Sequence, residues 1–363
     1  MTSLRSPRTD RDTDGGDGTE GTTEVVLRRR TTGSVWWELL TRRAFAAGLS
    51  LLSLFILSAL AAPFLYPSTL TAIPVDTNLV AHCLPPSGPT LSLLPFSLGP
   101  HPLGQTAYLG FGIAEGLIAG SRWDLFLFAA IAIPSAVVGV GVGLVAGTLG
   151  GKVDYVLMSA TDLLLSIPYF IFVILVVILL SPRIAPGQGP ELFIVASIAV
   201  MWAPFARLVR SEATRVRHAL YVESARASGA STSRVMTRHI LPNSLSPVLA
   251  QIPITVALIM TFIVASQYVT YYDNSKSGTM CLKYVTKTSA VAPVVPAFNY
   301  PEWGSTLSAG IVYVSALLPQ PGHPFGAGWW GGIIPGLWIT IFGLSLLLIS
   351  DGVRDWLSPK ARR

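Results

Sequence analysis

The chain has 363 residues, of which 51% are apolar and only 12% charged, whereas a soluble globular protein is about 25% charged. Apolar runs of about 20 residues recur along it, the length that crosses the hydrocarbon core of a bilayer, so the composition excludes a soluble fold and describes an all-α, multi-span membrane protein. The net charge is +6 and the pI about 9.4, but the basic residues sit between and beside apolar runs, which argues against a nucleic-acid surface, and two cysteines in so long a chain make no disulfide framework.

In chain order, residues 1–34 are rich in Asp, Glu, Gly, Thr and Arg and nearly lack large apolar side chains, which predicts a disordered tail. Arg28–Arg29–Arg30 and Arg42–Arg43 precede an apolar run over 44–65. That run is too long for the core of a signal peptide, so it is a first transmembrane helix that stays, within 35–66. Residues 67–123 carry many Pro and Gly and read as an irregular extramembrane loop. His101 lies there, and no other His stands at ligand spacing, so no metal site is read from it.

The second span, 125–149, begins the five-helix core at 124–350. It contains Gly139, Gly143 and Gly147 in two G-x-x-x-G steps, which let helices approach closely in lipid and are read as packing within the chain. Gly150-Gly151-Lys152-Val153-Asp154 follows. No Ser or Thr follows the Lys and no strand precedes it, so this is not a phosphate-binding loop. The third span, 155–180, holds Asp162 and Pro168. A carboxylate within a membrane is a functional residue by default; a place on a translocation pathway and a structural pair with a loop arginine both remain open for Asp162. The fourth span, 192–209, contains Pro204 and ends at Arg207 and Arg210. The fifth, 245–268, contains Pro247, Gln251 and Pro253, which suit a helix lining a watery path or an ordinary kink against neighbours. Residues 273–328 form a second extramembrane region, 329–349 the sixth span, and 351–363 a short tail.

Between the fourth and fifth spans, 211–243 contains five Arg, two Glu and two His. An Arg at the centre of a bilayer costs about 2.5–3.5 kcal/mol on insertion scales, so this segment lies in water. It reads as a helix over 219–228, a break at Gly229, whose missing Cβ permits positive φ, and a second helix over 233–240. Ser231 or Thr232 caps that second helix and Pro242 ends it.

Here the residues resemble a family. Glu223, Ala225, Gly229, Leu241 and Pro242 fall at the spacing of the E-A-A loop of ABC-importer permeases, with Ser224 for an Ala and His239 at a position usually apolar. The ending His239 to Asn243 resembles the dipeptide/oligopeptide branch, C-type subunit. Other motifs follow in the family's order. They are His101-Pro102-Leu103-Gly104, though the charged residues that usually follow are missing; the Gly-Gly-x-x-Asp turn at Gly150; Asp162 with Pro168; Pro301-Glu302-Trp303-Gly304 for P-S-W-G; and the closing Asp351-Gly352-Val353-Arg354-Asp355 with Pro359. The stretch 273–300 is an insertion relative to that pattern.

The resemblance implies a type I importer permease fold of six transmembrane helices that does no ATP hydrolysis itself and needs no cofactor. It implies a second, homologous permease subunit as a heterodimer partner, two ATP-binding subunits and an extracytoplasmic substrate-binding protein. Glu223, Ser224, Ala225, Gly229, Ala230, His239, Leu241 and Pro242 become the coupling residues that meet the ATPase. Asp162, Pro168, Gln251 and Pro253 are the pathway or structural candidates. Peptides are the expected cargo, with oligosaccharides and nickel chelates carried elsewhere in the family; an ATP-independent carrier or channel is the alternative.

Six spans with the amino end inside put 20 of the 25 Lys and Arg on the cytoplasmic side, all but Arg122, Arg183, Lys276, Lys283 and Lys287, as the positive-inside rule requires. Cys83 and Cys281 then lie on the oxidising side, as a disulfide joining the two long loops or as two unpaired thiols. Alkylation without reductant decides: a bonded pair takes up no label, and two labelled thiols reject the bond.

Overall fold

The computed structural model describes residues 39–67, 91–93, 96–98, 102–104, 112–180, 189–275, 302–314 and 329–357. Cys83, His101 and Cys281 lie outside them, as do the 1–34 tail and the 276–300 part of the insertion. The order of elements is α1 (Arg43–Leu65), a small antiparallel pair β1 (Leu91–Leu93) and β2 (Phe96–Leu98), α2 (Ile113–Leu149), α3 (Gly151–Ser166), α4 (Tyr169–Leu180) and α5 (Gly189–Arg217). There follow α6 (Leu220–Ala227), α7 (Thr232–Val235), a π turn (Met236–Ile240), α8 (Leu241–Ser244), α9 (Ser246–Ser275), α10 (Trp303–Val314) and α11 (Trp329–Leu357). The strands pair Leu91 with Leu98 and Leu93 with Phe96 and are the only departure from helix among the described elements. Five helices are long and apolar enough to span a bilayer, and α3 with α4 makes a sixth if the bent pair is one span.

That bend is 83°. Ile167 takes an extended conformation, φ −94° and ψ 128°, because the ring of Pro168 disfavours the helical region for the residue before it. The third span is therefore broken where the sequence reading ran it straight.

The closest packing joins α2 to α5. A Cβ on Gly139 would lie 2.4 Å from the carbonyl oxygen of Trp202; one on Gly143, 2.3 Å from that of Ala206; one on Gly147, 2.8 Å from that of Arg210. The three glycines form one face at i, i+4, i+8, and only hydrogen atoms fit between the two backbones there. Gly141 points elsewhere, with nothing within 4 Å of an added Cβ. Around this crossing Phe205, Val209, Ala213 and Val216 are buried, 0–4% exposed.

A second core fills the other end of the bundle. The rings of Phe55, Phe128, Trp303, Trp338 and Phe342 meet there, with centroids 4.8 Å apart for Phe55 and Trp338, 4.9 Å for Trp303 and Phe342, and 5.3 Å for Phe128 and Phe342. Trp303 is held at both polar ends: its backbone N–H donates to Oδ2 of Asp124 (2.9 Å) and its indole Nε1–H to the carbonyl of Leu117 (3.0 Å). Buried indoles usually find such a partner.

This anchor overturns two sequence expectations. Residues 113–123 are not an irregular loop but the first turns of α2, because they pack against Glu302 and Trp303; a Cβ on Gly120 would lie 3.1 Å from Cα of Glu302. Residues 303–314 are likewise helical rather than part of a purely irregular outer region. In both places Gly and Pro in the neighbouring sequence had masked helices that long-range packing stabilises.

The first span wraps the last. A Cβ on Gly352 would lie 2.6 Å from Cβ of Phe45, and one on Gly48, 2.8 Å from the carbonyl oxygen of Ser345. The hydroxyl of Ser350 donates to the carbonyl of Ala250 (2.8 Å), tying α11 to α9.

Gly143→Ala is expected to destabilise the bundle by about 1–3 kcal/mol, the usual cost of overpacking, whereas Gly141→Ala leaves stability unchanged or raises it through the better helix propensity of Ala. Thermal unfolding of the two variants in detergent gives the comparison; equal melting temperatures reject the crossing.

Candidate functional site

The polar segment between α5 and α9 is a compact hairpin fastened to the end of α5. Its inner face is apolar: Val222 of α6, Val235 of α7 and Ile240 of the π turn are each 0% exposed and pack with Val209, Ala213 and Val216. Its outer face is open, with Leu220 81% and Tyr221 48% exposed, and Glu223, Ser224, Arg226, Arg234 and Arg238 also at the surface.

The geometry explains the spacing of the motif. The N–H of Ala230 donates to the carbonyl of Ala225 (3.1 Å), and that of Gly229 to the carbonyl of Arg226 (2.9 Å). These two bonds are the Schellman closure of a helix, which needs a left-handed residue at the turn; Gly229 supplies it with φ +82°. The Ala225-to-Gly229 spacing is therefore the span from the third-last helical residue to the turn residue. Glu223 sits in the first turn of α6, where a negative charge is favoured by the helix dipole. The hydroxyl of Ser228 donates to the carbonyl of Ser224 (2.9 Å).

The next helix starts as expected, with Ser231 as its cap and its hydroxyl accepting from the N–H of Arg234 (3.4 Å). It ends differently. After one turn the chain passes through the π turn, and Pro242 does not stop it but sits in the first turn of α8, which runs on to Ser244. Proline is tolerated there because the first N–H groups of a helix need no helical partner, and the wider π turn keeps its ring clear of the preceding carbonyls. The amide of Asn243 donates to the carbonyl of His239 (2.6 Å), and the ring of His239 lies 6.4 Å from that of Tyr221, joining the two arms. Leu241 is half-buried behind them.

Below the hairpin, two ion pairs fasten α5 to α3. Arg210 grips Asp154 with both ends of its guanidinium, Nε to Oδ1 at 2.9 Å and Nη2 to Oδ2 at 2.6 Å, the bidentate geometry that makes Arg–carboxylate pairs directional. Gly150 and Gly151 both take positive φ, +69° and +57°, to turn the chain into α3, and a Cβ on Gly150 would lie 2.5 Å from Nη1 of Arg217. Asp162 pairs with Arg207 one turn further along α5. An ion pair between Asp162 and an arginine is thus present, made by Arg207 at the end of the fourth span. Sequence reasoning took Arg207 and Arg210 as topology markers only and gave Asp154 no partner. Arg207 and Arg210 stand 45 and 56 residues from Asp162 and Asp154 in the sequence, so no local pattern says which pairs with which.

The remaining candidates do not join the hairpin. Pro168 is exposed at the break between α3 and α4. Gln251 is half-buried in α9, its carbonyl accepting from the hydroxyl of Thr255 (3.1 Å), and Pro253 is buried two residues further along the same helix. No group of three or more His, Cys, Asp or Glu that would hold a metal occurs among the described residues.

Gly229→Ala is expected to cost about 1–2 kcal/mol, because a left-handed residue with a Cβ is strained while nothing within 4 Å would clash with it. Hydrogen exchange of the Gly229 and Ala230 amides should quicken while the spans keep their protection; unchanged protection rejects the closure. Asp154→Asn is expected to weaken the grip of Arg210 and lower the melting temperature by a few degrees, and Arg210→Lys, which cannot form the fork, by a comparable amount.

Comparison with known proteins agrees with this geometry. Residues 139–363 match the family described as "binding-protein-dependent transport system inner membrane component", and residues 32–86 match the N-terminal transmembrane domain of oligopeptide transport permease C. The dipeptide transport system permease protein DppC of Bacillus subtilis is 27% identical over 332 residues, 92% of this chain and 87% of that protein. Its counterpart of the same name in Haemophilus influenzae is 26% identical over 329 residues, 90% of this chain and 94% of that protein. The oligopeptide transport system permease protein OppC of Bacillus subtilis is 28% identical over 255 residues, 70% of each chain. These relatives are named as transport permeases rather than enzymes. With the family match spanning more than half of its length and the spans of a multi-pass membrane protein in place, the chain belongs to the inner-membrane permease components of binding-protein-dependent ABC transport systems.

Proposed function

We propose that this chain is one permease subunit of an ATP-driven importer of di- or oligopeptides. A second, homologous permease completes the pathway, two separate ATP-binding subunits hydrolyse ATP, and an extracytoplasmic binding protein delivers the cargo. Both chain ends and the 211–243 hairpin face the cytoplasm. The peptide cargo is supported by the names of the relatives; the coupling role is carried by one observation, a hairpin whose inner face is locked to α5 while its outer face stays open.

That construction suits a lever. A push on Leu220, Tyr221 and Glu223 reaches α5 through Val222, Val235 and Ile240. From α5 it passes to α3 through the Arg210–Asp154 pair and to α2 through the glycine crossing, so the hairpin and these helices move together. Rigid rocking of packed helices about an interface is an established route to alternating access. Glu223, Ser224, Ala225, Gly229, Ala230, His239, Leu241 and Pro242 are the coupling residues: Gly229 and Ala230 close the first arm, His239 and Leu241 join it to the second, and Glu223 meets the partner. Asp162, Pro168, Gln251 and Pro253 shape the helices along the pathway, Pro168 and Pro253 by bending or stiffening them.

Two variants test this reading. Glu223→Ala is expected to reduce peptide-dependent uptake at least tenfold in vesicles of the complete system while the complex still assembles. Gly229→Pro, which removes the N–H that closes the hairpin and imposes a negative φ, is expected to abolish uptake and leave ATP hydrolysis uncoupled from it. Uptake at the normal rate in the Gly229→Pro variant rejects the lever, and uptake by this chain without any ATP-binding subunit supports an ATP-independent carrier instead.

A further inference from the structure

Little of α3 is covered by the rest of the chain: Thr161 is its one buried residue. The half-buried Asp154, Leu157, Met158, Leu164 and Leu165 share the side of Thr161 and lie towards the bundle. The remainder of the helix divides into two exposed faces. Val156, 62% exposed, and Leu163, 68% exposed, stand on an apolar one, as a lipid-facing surface should be. Tyr155, Ser159, Asp162 and Ser166 stand on the other, all exposed. They fall at i, i+4, i+7 and i+11, which at 3.6 residues per turn is one narrow stripe. Beside it α5 presents Arg207 and Ser211, about one turn apart and both exposed.

The Asp162–Arg207 pair lies in this stripe with its side chains 61% and 58% exposed. One guanidinium nitrogen meets one carboxylate oxygen there, whereas Arg210 grips Asp154 with both ends of its fork. Depth decides what can lie outside the pair. Arg217 lies against the α2–α3 turn at Gly150. Arg207 stands ten residues before Arg217, and Asp162 eleven after Gly151, each about 15 Å along its helix from that turn. That depth falls within a hydrocarbon core about 30 Å thick. Charged side chains are costly to open to lipid there and face a bundle interior or water instead. The pair is not inside its own bundle, and the polar residues above and below it continue the same face.

We propose that this stripe is wet: Tyr155, Ser159, Asp162, Ser166, Arg207 and Ser211 line the translocation pathway at the hairpin end, and the Asp162–Arg207 pair keeps that lining neutral so that peptides of either charge pass. The second clause rests on the peptide reading above. A cleft walled by one sign of charge concentrates ions of the opposite sign and repels its own. Arg207 alone repels cationic peptides and Asp162 alone repels anionic ones. Paired, the two fields largely cancel at the distance of a passing cargo.

Two measurements on the complete assembled system in proteoliposomes test this. In the first, a charged, membrane-impermeant methanethiosulfonate is applied from the hairpin side, at rest and during ATP turnover, with the unsubstituted chain as blank. Ser159→Cys and Ser166→Cys are expected to react at least tenfold faster than Val156→Cys and Leu163→Cys in one of the two states. Rates at Ser159→Cys and Ser166→Cys that exceed those of the apolar face in neither state overturn the wet stripe and place lipid or a partner subunit over it. The second measurement is uptake of trilysine, trialanine and triglutamate. Asp162→Asn is expected to lower the trilysine-to-trialanine ratio threefold or more, and Arg207→Gln to lower the triglutamate-to-trialanine ratio by as much. The double variant Asp162→Asn/Arg207→Gln, neutral again, is expected to restore both ratios. Loss of all three cargoes in equal proportion, in single and double variants alike, is what a merely structural pair gives, and it overturns the charge clause. Absence of uptake of any of the three by the unsubstituted system overturns the peptide reading and the charge clause with it, while the labelling pattern still decides whether the stripe is wet.

Discussion

Backbone-to-backbone contact between α2 and α5 is the constraint on which the rest depends. In lipid the hydrophobic effect does not drive helices together, so close van der Waals packing and interhelical polar contacts must do it. Gly139, Gly143 and Gly147 remove every side-chain atom from one face of α2 and let α5 lie against it along its inner half. Because α5 is held there, its last turns project the hairpin from one end of the bundle, and its first turn places Glu191 beside Trp123 at the other. The hairpin and the buried Asp124–Trp303 contact thus lie towards opposite ends of one pair of helices.

The polar contacts reinforce that pair at its ends rather than its middle. At the hairpin end, the Arg210 fork on Asp154 and the Arg207–Asp162 pair bring in α3. At the far end, Asp124 and the carbonyl of Leu117 fix Trp303 and with it α10. The aromatic cluster around Phe55 then adds α1 and α11. The bend at Pro168 and the π turn ahead of Pro242 lie outside these clamps, on segments that make fewer contacts with the α2–α5 pair. Among the described helices, the bend and the π turn fall in the third span and the hairpin.

The sequence and the structure differ most where Gly and Pro are dense. The apolar runs around 44–65, 192–209 and 329–349 were legible as helices because such runs admit one interpretation in a bilayer, but the last two helices run on to Arg217 and Leu357. The hairpin was legible to within a residue or two, since the positive φ of Gly229 and the cap of Ser231 are local demands. The early turns of α2 and the helix after Glu302 were not legible, because each is stabilised by the other across a separation of nearly the whole core. Pro242 misled for a related reason: its bias against the preceding helical residue is real, but a π turn absorbs it.

By itself, then, the sequence determined that the chain spans a membrane, which charged segment must stay in water, and where that segment must turn. Each of these follows from the solvation of single residues or from the conformational freedom of one glycine. Only the tertiary structure decided which arginine holds which carboxylate, that the glycines of α2 face α5, and that Asp124 holds the backbone of Trp303. Those are pairings between residues far apart along the chain, and their energies depend on distances of a few ångströms that no local pattern encodes.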